Sequence, residues 1–147
     1  MLASTGVELV SLNDFSSLPE VVEDGKTYLE NALKKARIIA EATGQTVLAD
    51  DSGLEVEVLG GEPGIYSARY AGEDASDEEN NALLLTKLKD VPLSERRSSF
   101  CCVLVLYSPG GGYQAFEGRW DGLIIDESRG TNGFGYDPIF LWPDMNK

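Results

Sequence analysis

The sequence predicts one α/β domain in which a mixed central sheet is flanked by helices. Three observations carry that expectation. Two segments, one opening at Thr27 and one at Ser76, join a helix N-cap to apolar residues at helical spacing. Apolar runs of strand length lie before, between and after them. Neither an internal repeat nor a linker interrupts the 147 residues, which are enough for one domain with a real core.

The elements follow in order. "VELVSL" (7–12) reads as a short strand that leads into a polar loop reaching Asp24-Gly25. Thr27-Tyr28-Leu29-Glu30 has the form of a capping box, with the Thr27 hydroxyl and the Glu30 carboxylate each satisfying an orphan amide. Leu29, Ala32, Leu33, Ala36 and Ile39 keep helical spacing, and Gly44 stops the helix near residue 43. "TVLAD" (46–50) is expected as a buried strand ending at the aspartates, and the alternation of Leu54, Val56 and Val58 with Glu55 and Glu57 as a second, half-exposed one. Ser76-Asp77-Glu78-Glu79 opens the second capped helix, which carries Leu84, Leu85 and Leu88. "FCCVLVLY" (100–107) is the expected central strand, "SPGGG" the turn, and "YQAFEGRW" its antiparallel return. "GLIID" (122–126) extends the sheet, and the glycine-rich "GTNGFGYDPIF" (130–140) runs into a last short strand.

Composition excludes several function classes. With 42% apolar and 25% charged residues the chain is an ordinary globular protein rather than a disordered one. A formal net charge of −13 repels phosphate backbones and anionic headgroups, so nonspecific binding to nucleic acid or to a membrane surface is not expected. No apolar run reaches the roughly 18 residues of a membrane span. "MLASTGVELV" lacks a basic n-region, so a cytoplasmic protein is expected. Cys101 and Cys102 are neighbours whose side chains diverge in a strand, which reads as two reduced structural thiols. Histidine is absent, so any general base is a carboxylate, Lys, Tyr, thiolate or metal-bound hydroxide.

The chemistry concentrates in "LADDSG" (48–53). Paired carboxylates at the end of a strand suit Mg²⁺, which takes one or two carboxylates together with phosphates and water, and Ser52-Gly53 would offer a hydroxyl and amides to an anion. A turn cap with a solvated neighbour explains a bare Asp50-Asp51 pair equally well. Glu23 and Asp24, ahead of the first helix, read either as an acidic loop or as the source of a third metal ligand. Lys34 and Lys35 lie on that helix, where Lys35 is placed either to approach a phosphate or to be solvated. "GTNGFGYDP" does not open a helix and so fails the context of a dinucleotide fingerprint. Phe134 between two glycines is either a platform for a flat ligand, with Asp137 accepting a ring N–H, or a residue tucked into the core.

Taken together, "TYLENALKKA" (27–36), "LADDSGLEVEVLGGEPGIYSARYAGEDA" (48–75) and "GFGYDPIF" (133–140) resemble the Ham1-like inosine triphosphate pyrophosphatases. The resemblance runs from about residue 7 to the C-terminus. It implies Mg²⁺-dependent hydrolysis of non-standard purine nucleoside triphosphates (ITP, dITP, XTP) to the monophosphate and pyrophosphate by a homodimer. It implies Asp51 as proton acceptor and metal ligand, with Asp50 and Glu23 also at the metal. Lys35 then faces the triphosphate, Ser52 contacts substrate, and Phe134, Gly135, Tyr136 and Asp137 border the purine, Phe134 stacking on it. The family pattern opens with a strand and a Ser/Thr-x-Asn-x-x-Lys loop and closes with a lysine, a Ser-His-Arg motif and a helix, none of which occurs here. The domain is therefore expected to be truncated at both ends, to self-associate and to turn over ITP poorly. The competing expectations are a non-catalytic nucleotide-binding or dimerisation module of the same fold, and a Maf-like pyrophosphatase, against which the 48–61 block argues.

Overall fold

The computed structural model describes residues 6–130 and 132–143; Thr131 of the glycine-rich loop and the C-terminal Asn146-Lys147 lie outside the described residues. Four strands form one sheet in the order β1 (Val47–Val56), β2 (Arg97–Tyr107), β3 (Tyr113–Ile124), β4 (Phe140–Leu141). Two helices, α1 (Tyr28–Thr43) and α2 (Asp77–Lys87), flank it. The expected α/β class with a central sheet between helices holds, and β2 is central as anticipated. Every pairing among the described strands is antiparallel, so the sheet is not mixed in direction.

Local capping chemistry sets both helices. The Thr27 hydroxyl accepts the Glu30 N–H at 3.1 Å. The Glu30 carboxylate takes the Lys26 N–H at 2.6 Å, one residue earlier than a capping box requires, so only half of that motif forms. Gly44 closes α1 at φ 69°, a left-handed conformation that glycine adopts without a Cβ penalty, and donates to the Ala40 carbonyl. Ser76 and Glu79 make the full reciprocal box at α2.

Strand periodicity divides the core between two faces. On one, Val47, Ala49 and Asp51 stand beside Tyr107, Val105 and Val103 of β2. Ala32, Ala36 and Ala40 of α1 cover this face, their small side chains bringing the helix close to the sheet. On the other, Leu54 and Val56 are buried against Leu84 of α2 and Leu88 at its C-cap, with Ile124, Tyr136 and Ile139 completing the cluster. Phe100, Trp120, Phe140 and Trp142 continue it as tilted and edge-on ring contacts 4.7 to 5.7 Å apart. Further along that face Leu48, Leu104, Leu106 and Phe116 are exposed.

Three strand expectations change. Residues 7–11 carry no strand, and a turn of 3-10 helix occupies Leu12–Asp14, because apolar alternation makes a strand only where a ladder is offered and among the described residues the sheet ends at β1. "TVLAD" and "LEVEV" are one ten-residue strand that runs through both aspartates, paired throughout with β2. Val58 lies in the following turn, Glu57–Leu59. "YQAFEGRW" and the start of "GLIID" are likewise one strand, β3, joined to β2 by the expected Ser-Pro-Gly turn with Ser108 donating to Gly112 O at 2.8 Å.

Candidate functional site

β1 carries Asp51 in mid-strand toward α1, where it is 8% exposed. Asn31 of α1 donates from Nδ2 to Asp51 Oδ2 at 3.0 Å. The amide is oriented from behind, since its Oδ1 accepts the Gly25 N–H at 2.7 Å. Gly25 is a glycine for that reason: a Cβ there would sit 2.5 Å from Asn31 Oδ1 and 2.8 Å from Glu30 Cβ. One helical turn beyond Asn31, Lys35 places Nζ 3.5 Å from Asp51 Oδ1 and 3.3 Å from Glu23 Oε2. Two carboxylates thus face one half-buried ammonium.

The loop carrying Glu23 is tied from the other side. Arg69 Nη2 donates to the Glu23 carbonyl at 3.3 Å, and its guanidinium lies 5.4 Å from the centroid of the Tyr66 ring. Asp24 turns away to Lys34 at 2.5 Å, and that hydrogen bond with the lysine charge holds the Asp24 carboxyl below its ordinary value. Asp51 is displaced the opposite way. Burial pushes its carboxyl up, the Asn31 hydrogen bond and the Lys35 charge oppose this, and the Glu23 charge adds to it. A carboxylate whose proton affinity is raised and whose orientation is set by an amide is equipped to accept a proton from water.

Beside Asp51 the backbone is packed against a second segment. A Cβ on Gly53 would fall 2.3 Å from Gly64 O, 2.6 Å from Ser67 Oγ and 2.9 Å from the Tyr28 hydroxyl, so no larger residue fits. Ser67, in the 3-10 segment Gly64–Arg69, is the joint. Its hydroxyl accepts the Leu54 N–H at 2.9 Å and donates to Gly64 O at 2.6 Å, while its carbonyl accepts the Tyr136 hydroxyl at 2.9 Å. Through Ser67 the glycine-rich loop is coupled to the strand that bears Asp51.

That loop presents Phe134 to solvent at 82% exposure, between Gly133 at φ 92° and Gly135 at φ 57°. Phe134 is therefore not tucked into the core, and its ring stands open to solvent. Asp137 faces its own loop, accepting the Phe134 N–H at 3.2 Å. Tyr136 points inward and is 4% exposed, so its ring belongs to the core and reaches the loop surface only through its backbone. Gly135 is held by α2.

Two expected members of the cluster are separated from it. Asp50 is exposed on the face opposite Asp51, because neighbours in a strand diverge and the strand does not end between them. The two aspartates therefore do not meet on one face of β1. The Ser52 side chain shares Asp50's face. Its backbone N–H has the same direction as those of Leu54 and Val56, which leave β1 on the side away from β2 to meet Ser67 Oγ and Glu62 O. Among the described residues no group of three or more Asp, Glu, Cys or His side chains gathers at metal-binding distance. What remains is Asp51 with Glu23, a donor set that fits Mg²⁺ with water and phosphate as further ligands.

Several residues that build the site escaped the sequence reading: Asn31, Tyr28 and Ser67. Asn31 had a signal, since asparagine inside a helix disfavours it and is usually there for its hydrogen bonds. Tyr28 lies one turn before Asn31 on the same helix, and Ser67 is brought in by the 3-10 segment Gly64–Arg69.

Comparison with known proteins agrees with this architecture. The sequence model of the Ham1 family matches residues 1–147. A dITP/XTP pyrophosphatase of Geobacter sulfurreducens is 59% identical over 133 residues, covering 90% of this chain and 67% of the relative. One from Exiguobacterium sibiricum is 50% identical over 147 residues, covering all of this chain and 74% of the relative. Among solved structures, a HAM1 protein from Coxiella burnetii superposes with a TM-score of 0.84 at 41% identity, covering 92% of this chain and 75% of that one. The Mycobacterium abscessus nucleoside-triphosphatase, a dITP/XTP pyrophosphatase, gives 0.83 at 47%, covering 95% and 73%. With its whole described length matched by the family and its fold shared with solved members, the chain belongs to the Ham1 family.

Proposed function

We propose that this protein is a nucleoside triphosphate pyrophosphatase that hydrolyses non-standard purine nucleotides, dITP, XTP and ITP, to the monophosphate and pyrophosphate. The observation that carries the reading is the buried Asp51 carboxylate, oriented by Asn31 and facing Glu23 across Lys35. The chain's relatives named dITP/XTP pyrophosphatase, up to 59% identical, supply the substrate class.

In this reading Asp51 takes the proton from a water whose oxygen attacks the α-phosphorus. The bond from that phosphorus to the bridging oxygen breaks, and pyrophosphate leaves. Burial raises the Asp51 carboxyl above its ordinary value, which suits it to accept that proton. Asp51 and Glu23 are the residues that would hold Mg²⁺, which when bound screens the phosphate charge and makes a ligating water more acidic. Lys35 lies between the two carboxylates and turns its ammonium to the phosphates. Ser52 meets substrate through its edge amide, Phe134 stacks on the purine, and Gly135, Tyr136 and Asp137 shape the loop at the base, Tyr136 from the core side. Homodimerisation and a cytoplasmic location follow from the family resemblance; for the membrane, no helix among the described residues is long and apolar enough to cross one.

Pyrophosphate release from ITP, dITP, XTP and GTP, each with and without Mg²⁺, tests the proposal. Mg²⁺-dependent release favouring the first three is expected. Nucleotide binding without release would replace it with a non-catalytic binding module.

A further inference from the structure

The glycine-rich loop is held from outside as well as by its own Asp137. Gly135, the residue after the exposed Phe134, has both of its backbone groups gripped by α2. The Asp77 carboxylate accepts the Gly135 N–H at 2.6 Å, and Asn81 Nδ2 donates to the Gly135 carbonyl at 3.1 Å. Asp77 and Asn81 are four residues apart and therefore adjacent on one helix face. The neighbouring Asn80 does the same for the other loop, accepting from Ala71 N at 2.8 Å and donating to Ala68 O at 3.1 Å. The two gripped segments meet where Tyr136 donates to Ser67. A left-handed glycine two residues from another has many alternative conformations, so an external clamp helps decide which one is populated.

We infer that Asp77 and Asn81 are positioning residues for the purine end of the site, fixing the 133–137 loop so that Phe134 stands as a preformed stacking platform. This rests on the proposed pyrophosphatase reading and adds two residues to it. Their hydrogen bonds go to Gly135 and not to Asp51, Glu23 or Lys35, so their loss should weaken nucleotide binding more than it slows the bond-breaking step.

The test is a set of variants in the full chain. Asp77→Ala and Asn81→Ala remove the grip. Asp77→Asn keeps an acceptor for the Gly135 N–H, and Glu78→Ala removes a first-turn carboxylate that does not hold the loop. The expected result is a KM for ITP raised about tenfold in Asp77→Ala, and further in the double variant, with kcat within about threefold. Asp77→Asn should recover most of the loss and Glu78→Ala should match wild type. In the ligand-free protein, exchange of the Gly135 amide should quicken about tenfold in Asp77→Ala but not in Glu78→Ala. Unchanged KM and unchanged Gly135 exchange would overturn the inference, as would a fall in kcat at constant KM. If wild-type protein releases no pyrophosphate at all, the pyrophosphatase reading falls; nucleotide affinity and Gly135 exchange in the same variants then decide the clamp.

Discussion

On the α1 face of the sheet Asp51 meets an amide, an ammonium and a second carboxylate, whereas one residue earlier Asp50 projects into solvent from the other face, opposite Leu104. The two side chains are chemically identical and adjacent in sequence. They differ because a strand sends neighbours to opposite sides and only one side is covered by a helix here. A pair of carboxylates in a sequence therefore need not be a pair in space. Repulsion between them, which suggested a shared cation, is relieved first by the geometry of the strand. The remaining charge on Asp51 is offset by Asn31 and Lys35.

The largest expected effect separates the two aspartates by activity. Asp51→Asn should lower kcat for ITP by about 10² to 10⁴, the range of a lost general base, while Asp50→Asn stays within about threefold. Equal losses measured as pyrophosphate release would break the comparison and bring Asp50 back to the reacting centre.

A second contrast concerns the backbone beside Asp51. Gly53→Ala would drive a methyl into the Gly64 carbonyl and Ser67, at a cost of about 3 kcal/mol or more. Gly118 stands across Cys102 of β2 with nothing within 4 Å of its Cβ position, and Gly118→Ala should be neutral or stabilise by about 0.5 kcal/mol. Denaturant midpoints of the two variants measure the difference.

The faces can also be compared at one step along β2. Val105 is fully buried under α1, so Val105→Ala should cost about 2 kcal/mol. Leu104 is 39% exposed, and Leu104→Ala should cost less than about 1 kcal/mol. A larger loss at Leu104 in thermal melts, growing with protein concentration, would mean that a second copy covers that face in solution.

The smallest effect is one of pH, in metal-free protein. The folded state raises the Asp51 carboxyl above its ordinary value of 3.8, so native protein holds that proton more tightly than unfolded chain. Its contribution to stability is fully present below that value and is lost as pH rises through the raised one. Asparagine does not titrate. The melting temperature of Asp51→Asn relative to wild type should therefore increase from acid to neutral pH. A decrease would show that Lys35 and Asn31 outweigh burial at Asp51.

Both helices were legible because what starts and stops them is local. Thr27 and Ser76 reach amides three residues away, and Gly44 closes α1 on a carbonyl four residues back. The half-formed box at Thr27 shows the limit of that legibility, since which amide Glu30 takes depends on how the preceding loop arrives. "VELVSL" and "TVLAD" were less legible. Their apolar patterns are equally strand-like, yet one has no place in the ladder and the other continues six residues past the expected end at Asp50.

By itself the sequence determined the helices with their caps, the central apolar strand and its hairpin, and the family. Only the tertiary structure decided that β1 runs unbroken through Asp50 and Asp51, that Asn31 and Lys35 converge on one of them and not the other, and that Ser67, Asp77 and Asn81 hold the glycine-rich loop. The physical reason is range. A cap is completed within a turn of chain, whereas the pairing of Gly53 with Cys101 and the bond from Asp77 to Gly135 join residues whose meeting is set by the packing of the whole domain.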